Sequence, residues 1–260
     1  MPACILTSLT PEPHTNRGAG RLPALQWVRT AVQICAVLLT TLPLSLAGAA
    51  SERVSFRTDD GLTLAATWYE ASSRPAPAVI FVHMLQKSRR DWDQVATQMA
   101  AEGIEGLAID LRGHGDSPGS PQDYTGMVQD VRAARRFLSS RPDVLPSRIG
   151  IAGASIGASL AALASADDPA VVSLALLSPS IDYRGLRLDQ AIKKYGARPA
   201  LLVVGDNDGY AVRTARDLAK AGGGVREVLV LPRAGHGTAM LAGDTDLGRR
   251  LLEWFRRTLL

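Results

Sequence analysis

Cysteine is nearly missing from this chain. Only Cys4 and Cys35 occur, and both precede residue 50. The rest of the chain therefore holds no disulfide, no thiolate metal site and no thiol nucleophile. A thiol-free body suits an oxidising compartment. Also lacking is any Lys/Arg run with interleaved aromatics, which argues against nucleic acid as a partner. No internal repeat and no low-complexity linker interrupts the body. The longest uncharged apolar stretch, residues 31–46, is too short to span a bilayer comfortably, and Pro43 weakens it as a helix.

What is present is a globular composition. Apolar residues make up 46% of the 260, with charges of both signs mixed among them. The net charge of +4 says little about partners. Three of the 29 basic residues (Arg17, Arg21, Arg29) and one of the 25 acidic ones (Glu12) fall in the first 49 positions, leaving +2 on the rest. Arg21 and Arg29 precede the apolar stretch, the small residues Ala47-Gly48-Ala49-Ala50 follow it, and Ser51-Glu52-Arg53 resumes polar sequence. This is the pattern of a secretory signal peptide. Residues 1–50 are thus expected to be a leader with its core at 21–50, cleaved near Ala49 or Ala50, and residues 51–260 an exported single domain, periplasmic or extracellular. The other reading is an uncleaved N-terminal membrane anchor. There is no twin-Arg pair ahead of the stretch and no cysteine behind it to carry a lipid.

Beyond the leader, strand and helix patterns alternate. Val54–Arg57 and Leu62–Tyr69 flank Asp59-Asp60-Gly61, a hairpin signal. Ala78–Val82, Ile104–Ile109, Arg148–Ala152, Val171–Leu177, Ala200–Val204 and Val225–Leu231 read as strands, several of them apolar runs fit for burial on both faces. Helical spacing covers Asp91–Glu102, Tyr124–Ser139, Ile156–Ala164, Ala211–Ala221 and Met240–Thr258. Such alternation predicts an α/β domain with a mostly parallel central sheet and helices on both faces. Only about twenty residues, Pro179–Arg198, separate two of the strands, too few for a large cap domain.

Gly153-Ala154-Ser155-Ile156-Gly157 sits between a predicted strand and a predicted helix, the context of a G-x-S-x-G nucleophile elbow. A sharp strand-to-helix turn holds its serine in a strained conformation, so positions two residues away on either side must be small. A Gly/Ser turn packing a small-residue helix is the plainer explanation. A serine hydroxyl needs a base. Of His14, His83, His114 and His236, the last lies between two glycines just after the final strand, where an imidazole can reach the sheet edge. The base needs an orienting acid. Gly205-Asp206-Asn207-Asp208-Gly209 follows the Ala200–Val204 strand, and Asp208 lies further out than Asp206, nearer the histidine loop. An Asx turn accounts equally for either aspartate.

These motifs resemble the α/β-hydrolase family, in particular its dienelactone-hydrolase-like and small esterase members. The resemblance runs from about residue 52 to the end. It includes Val79–His83 with Met84-Leu85 behind it, Asp91-Trp92, the turn Asp110-Leu111-Arg112-Gly113-His114-Gly115-Asp116-Ser117, the elbow, and the two loops that follow. It implies the α/β-hydrolase fold without a large cap. It implies the order Ser155, Asp208, His236 as nucleophile, acid and base, and a structural role for the 110–117 turn, so that His114 is not catalytic. It also implies an oxyanion hole from the backbone N–H groups of Ile156 and, after His83, Leu85. Many members carry His-Gly where this chain has His83-Met84, which leaves the second donor open. Dienelactone hydrolases proper use a cysteine nucleophile, and Ser155 argues against that narrower activity.

The expected reaction is acyl transfer to water, on carboxylic esters first and thioesters or peptides next, without metal or organic cofactor. Met84, Trp92, Tyr183 and Tyr210 are candidates for the substrate pocket. Two rivals stand beside this reading: a non-catalytic binding protein on the same fold, and cofactor-free haloperoxidase-like chemistry on the same three residues. Oligomeric state is not read from the sequence.

Overall fold

The computed structural model describes residues 50–260. The expected leader, its cleavage site and the alternative anchor lie outside the described residues. Among those described, no helix is long and apolar enough to cross a membrane.

In chain order the strands and helices are β1 (Ser51–Arg57), β2 (Thr63–Tyr69), β3 (Ala76–Val82), α1 (Asp93–Ala101), β4 (Glu105–Ile109), α2 (Tyr124–Ser139), β5 (Val144–Ala154), α3 (Ile156–Ser165), β6 (Val171–Leu177), β7 (Asp182–Tyr183), β8 (Leu186–Arg187), α4 (Leu188–Tyr195), β9 (Ala200–Gly205), α5 (Gly209–Leu218), β10 (Arg226–Leu231), α6 (Met240–Gly243) and α7 (Leu247–Leu259). Eight strands form one sheet in the order β1-β2-β4-β3-β5-β6-β9-β10, and β7 and β8 make a separate two-stranded hairpin. β1 and β2 pair antiparallel, as do β2 and β4; every other pairing in the large sheet is parallel. This is the α/β-hydrolase fold.

The sequence explains the layering. β3 is buried along its whole length. Its alternate residues feed two cores: Ile80 and Val82 pack with residues of α2, α3, α4 and α5, while Val79 and Phe81 pack with α1 and α7. Trp92 belongs to the second core. It is fully buried, with its ring 5.3 Å from that of Phe81. The expectation that Trp92 lines a substrate pocket is therefore corrected: residues 89–92 form a short 3-10 turn that directs the indole inward. The helix expected over Met240–Thr258 is broken at Asp244-Thr245-Asp246, where the Asp244 carboxylate accepts the Asp246 N–H at 2.8 Å and competes with helical bonding.

Successive crossovers run to one side for β3 to β4 and to the other for β5 onward, so the carboxyl ends of β3 and β5 border a topological switch point. The turn Asp110–Ser117 is welded beside it. Arg89 pairs with Asp110 and Asp116, and buried Arg112 pairs with Asp60, Asp123 and Asp130. His83, fully buried, donates from Nδ1 to the Met84 carbonyl (2.7 Å) and accepts the Leu111 N–H at Nε2 (3.1 Å). Burial lowers its pKa to about 4, so it stays neutral and structural.

Glu105 opens β4 at the far end of the sheet. It is fully buried; one carboxyl oxygen accepts the Ala71 N–H at 3.0 Å, and the other has no hydrogen-bond partner. Burial raises its pKa to about 7, against the opposing pull of the Ala71 N–H and Arg74. A folded pKa above the ordinary 4.5 means that the folded state binds more protons. Stability from this site is then complete below pH 4.5 and falls as pH rises toward 7. Glu105→Gln is expected to gain stability relative to wild type between pH 5 and pH 8, read as the difference in urea midpoints; a difference independent of pH contradicts the assignment.

Candidate active site

Ser155 stands between β5 and α3 with φ 53° and ψ −116°, a region side chains rarely adopt. The backbone around it accounts for the two glycines. A Cβ on Gly153 would stand 2.2 Å from the Gly157 carbonyl oxygen, and one on Gly157 would stand 2.5 Å from that of Val82. The turn closes only because both positions lack a side chain, and β3 packs directly against it. The Ser155 N–H donates to the Leu177 carbonyl at 2.8 Å, fixing the elbow to β6.

His236 extends from the loop after β10. Its Nε2 lies 2.9 Å from Ser155 Oγ, and its Nδ1 lies 2.6 Å from Asp208 Oδ2. The hydroxyl donates to Nε2 and Nδ1–H donates to the carboxylate, giving one continuous line of hydrogen bonds. The imidazole is 48% exposed, open to a ligand from solvent. Asp208 also serves the fold, since its Oδ1 caps α5 by accepting the Ala211 N–H at 3.0 Å. Burial alone would raise its pKa, but the Ala211 N–H and the His236 contact hold it below the ordinary carboxylate value. Asp206 does not reach the imidazole; its Oδ1 accepts the Arg233 N–H at 2.7 Å and shapes the histidine loop.

Among the described residues the Ile156 and Leu85 N–H groups have no backbone acceptor. Ile156 opens α3, where the helix N-terminus favours negative charge. Met84 packs its sulfur against Gly237, beside the histidine. Tyr210 is 48% exposed, and its hydroxyl lies 3.2 Å from Ser180 Oγ and 3.3 Å from the Ile181 N, tying the start of α5 to the β7–β8 hairpin. Tyr183, half-buried in that hairpin, meets Tyr124 edge-on at 5.6 Å. The hairpin and α4 are additions to the elements expected from sequence, because two-residue strands are too short to show alternation.

A family model described as serine aminopeptidase, S33, matches residues 73–203. The chain belongs to this α/β-hydrolase family. An uncharacterised protein of Mycobacterium tuberculosis is 31% identical over 231 residues, which span 81% of this chain and 79% of that protein. A dienelactone hydrolase from Anabaena variabilis shares the fold at 22% identity, with a TM-score of 0.69 over 82% of this chain and 100% of its own. An esterase from Pyrococcus furiosus does so at 20% identity, with a TM-score of 0.67 over 82% and 92%. The solved structures share the fold of this α/β-hydrolase.

The close approach of Gly157 to β3 yields a direct expectation. Gly157→Ala, whose new methyl meets backbone rather than a yielding side chain, should lose about 1–3 kcal/mol of stability in urea unfolding. An unchanged midpoint would show that the elbow is not tightly packed.

Proposed function

We propose that this α/β-hydrolase cleaves carboxylic esters of small molecules through an acyl-enzyme on Ser155. The reading is carried by the unbroken hydrogen-bond line from Asp208 through His236 to the Ser155 hydroxyl, with that hydroxyl held on a strained turn.

In this mechanism the Ser155 oxygen attacks the carbonyl carbon while His236 Nε2 takes its proton. Asp208 stabilises the imidazolium through Nδ1–H and keeps the ring in the tautomer that presents Nε2 as acceptor. The developing oxyanion is received by the amides of Ile156 and Leu85, aided by the positive end of α3. His236 then gives its proton to the leaving alkoxide, and a water deprotonated by the same nitrogen releases the acid. Fixed amide dipoles favour the charge that appears only in the transition state. The β7–β8 hairpin and α4 occupy the chain between β6 and β9, so the site takes small acyl groups from solvent without a large cap to open. The proposal includes export by way of the 21–50 segment. Terminal sequencing of protein recovered outside the cytoplasm should then begin near Ser51, and an intact N-terminus would instead favour an anchor.

Ser155→Ala is expected to lower kcat on nitrophenyl esters by about a million-fold, since the three residues act as a unit. Asp208→Asn should cost about ten-thousand-fold, through the wrong imidazole tautomer. Asp206→Asn, which keeps an acceptor for the Arg233 N–H, should leave kcat near wild type. Wild-type rates in Ser155→Ala would remove the assignment. A folded wild-type protein that hydrolyses no ester would favour the binding-protein reading.

A further inference from the structure

At the end of β6, the dipeptide Leu177-Ser178 touches all three arms of the site. The Leu177 carbonyl accepts the Ser155 N–H at 2.8 Å. The Ser178 N–H donates to the Val203 carbonyl at 2.7 Å, on the strand that leads to Asp208. The Ser178 hydroxyl accepts the Gly237 N–H at 2.9 Å, one residue beyond His236. Nucleophile, acid strand and base are thereby referred to one point of backbone.

Ser178 is unusual in three respects. It is 1% exposed, so its hydroxyl has no water to compete for. It has φ 48°, a conformation that costs a residue with a Cβ about 1–2 kcal/mol and that glycine would adopt freely. Its hydroxyl hydrogen points to the sulfur of buried Met240, 3.9 Å away and a weak acceptor, which leaves the oxygen lone pairs turned toward the Gly237 N–H. A strained serine where glycine would fit better calls for a role of the hydroxyl itself. The other side-chain ties on the loop lie further along the chain from the imidazole or are longer. Thr238 donates to Asp91 at 2.5 Å, and the Gly235 N–H reaches Asn207 at 3.3 Å. Gly235 and Gly237 both have positive φ and no side chain to anchor. The His236 and Gly237 carbonyls accept the Ala239 and Met240 N–H groups within the short turn that follows, and the Ser178 contact ties that turn to the sheet.

We infer that Ser178 is a positioning residue, whose buried hydroxyl fixes the Gly237 amide and with it the reach of the His236 imidazole to Ser155. The inference rests on the triad proposed above. Ser178 touches no reacting atom; it sets the distance over which the proton passes. Loss of the hydroxyl leaves the Gly237 N–H buried and unpaired, and the loop shifts to find another acceptor. A displacement of about 1 Å at a proton-transfer contact costs up to about a hundred-fold in rate.

Two variants separate the hydroxyl from the backbone strain. Ser178→Ala removes the hydroxyl and keeps the strain; Ser178→Gly removes both. Ser165→Ala serves as control, because Ser165 is equally buried and its hydroxyl bonds only within its own helix, to the Ala161 carbonyl. All three are measured for kcat and KM on nitrophenyl acetate, rate of labelling by a fluorophosphonate, and thermal midpoint. Both Ser178 variants are expected to lose about 10- to 100-fold in kcat and in labelling rate, with KM within about threefold of wild type. Ser165→Ala keeps wild-type kcat and labelling. Wild-type kcat in Ser178→Gly overturns the inference, as does a loss of kcat that Ser165→Ala shares at the same thermal midpoint. A wild-type protein that is neither labelled nor active on esters removes the triad and this inference with it. Full loss in Ser155→Ala with none in Ser178→Ala removes this inference alone.

Discussion

The site depends on one backbone turn. Ser155 occupies a positive-φ conformation between a parallel strand and a helix, and the turn can close only where Gly153, Gly157 and the end of β3 come within contact distance of one another. That contact fixes the Ser155 hydroxyl relative to the sheet. It also places the first amide of α3 where an oxyanion would form in the proposed reaction. Everything else brings groups to that fixed hydroxyl. The strain at Ser155 is local, and the two buried cores on either side of β3 and β5 hold it in place.

In the proposed triad the base and acid reach the hydroxyl on loops, and loops need tethers. Asp208 serves two ends at once, capping α5 with one oxygen and meeting His236 with the other. The cap orients the carboxylate independently of the imidazole, so Asp208 is not ordered by the histidine alone. Asp206 and Asn207 hold the start of the histidine loop, Ser178 its middle and Asp91 its end. The acid loop is thus half carboxylate and half scaffold, which explains why two aspartates two residues apart have different partners.

The fold was largely legible in the sequence because its signals are local. Apolar runs such as Ala78–Val82 and Val171–Leu177 mark strands buried on both faces, and α2 shows its amphipathic spacing from Tyr124 to Ser139. The sharp turn at Ser155 was legible because its glycines are steric requirements of the backbone, and the open loop at His236 because its two glycines take positive φ. What was not legible depended on direction or on tertiary partners. Trp92 has the same composition signal whether its ring faces the site or the core, and the 3-10 turn at 89–92 decides in favour of the core. The break at Asp244–Asp246 hides inside a run with good helical spacing. The choice between Asp206 and Asp208 rested on loop position and family pattern, because either could have formed an Asx turn. Ser178 carried no sequence signal; its role follows only from a burial, a φ angle and a partner 59 residues away.

The central claim is that an imidazole activates one particular serine. The most direct measurement is intact-mass and peptide analysis of the protein after reaction with a fluorophosphonate. The account predicts a single adduct per chain, on the peptide that contains Ser155, and none when folded His236→Ala is treated in the same way. A folded wild-type protein that takes up no label, or takes it up on a different residue, would contradict it.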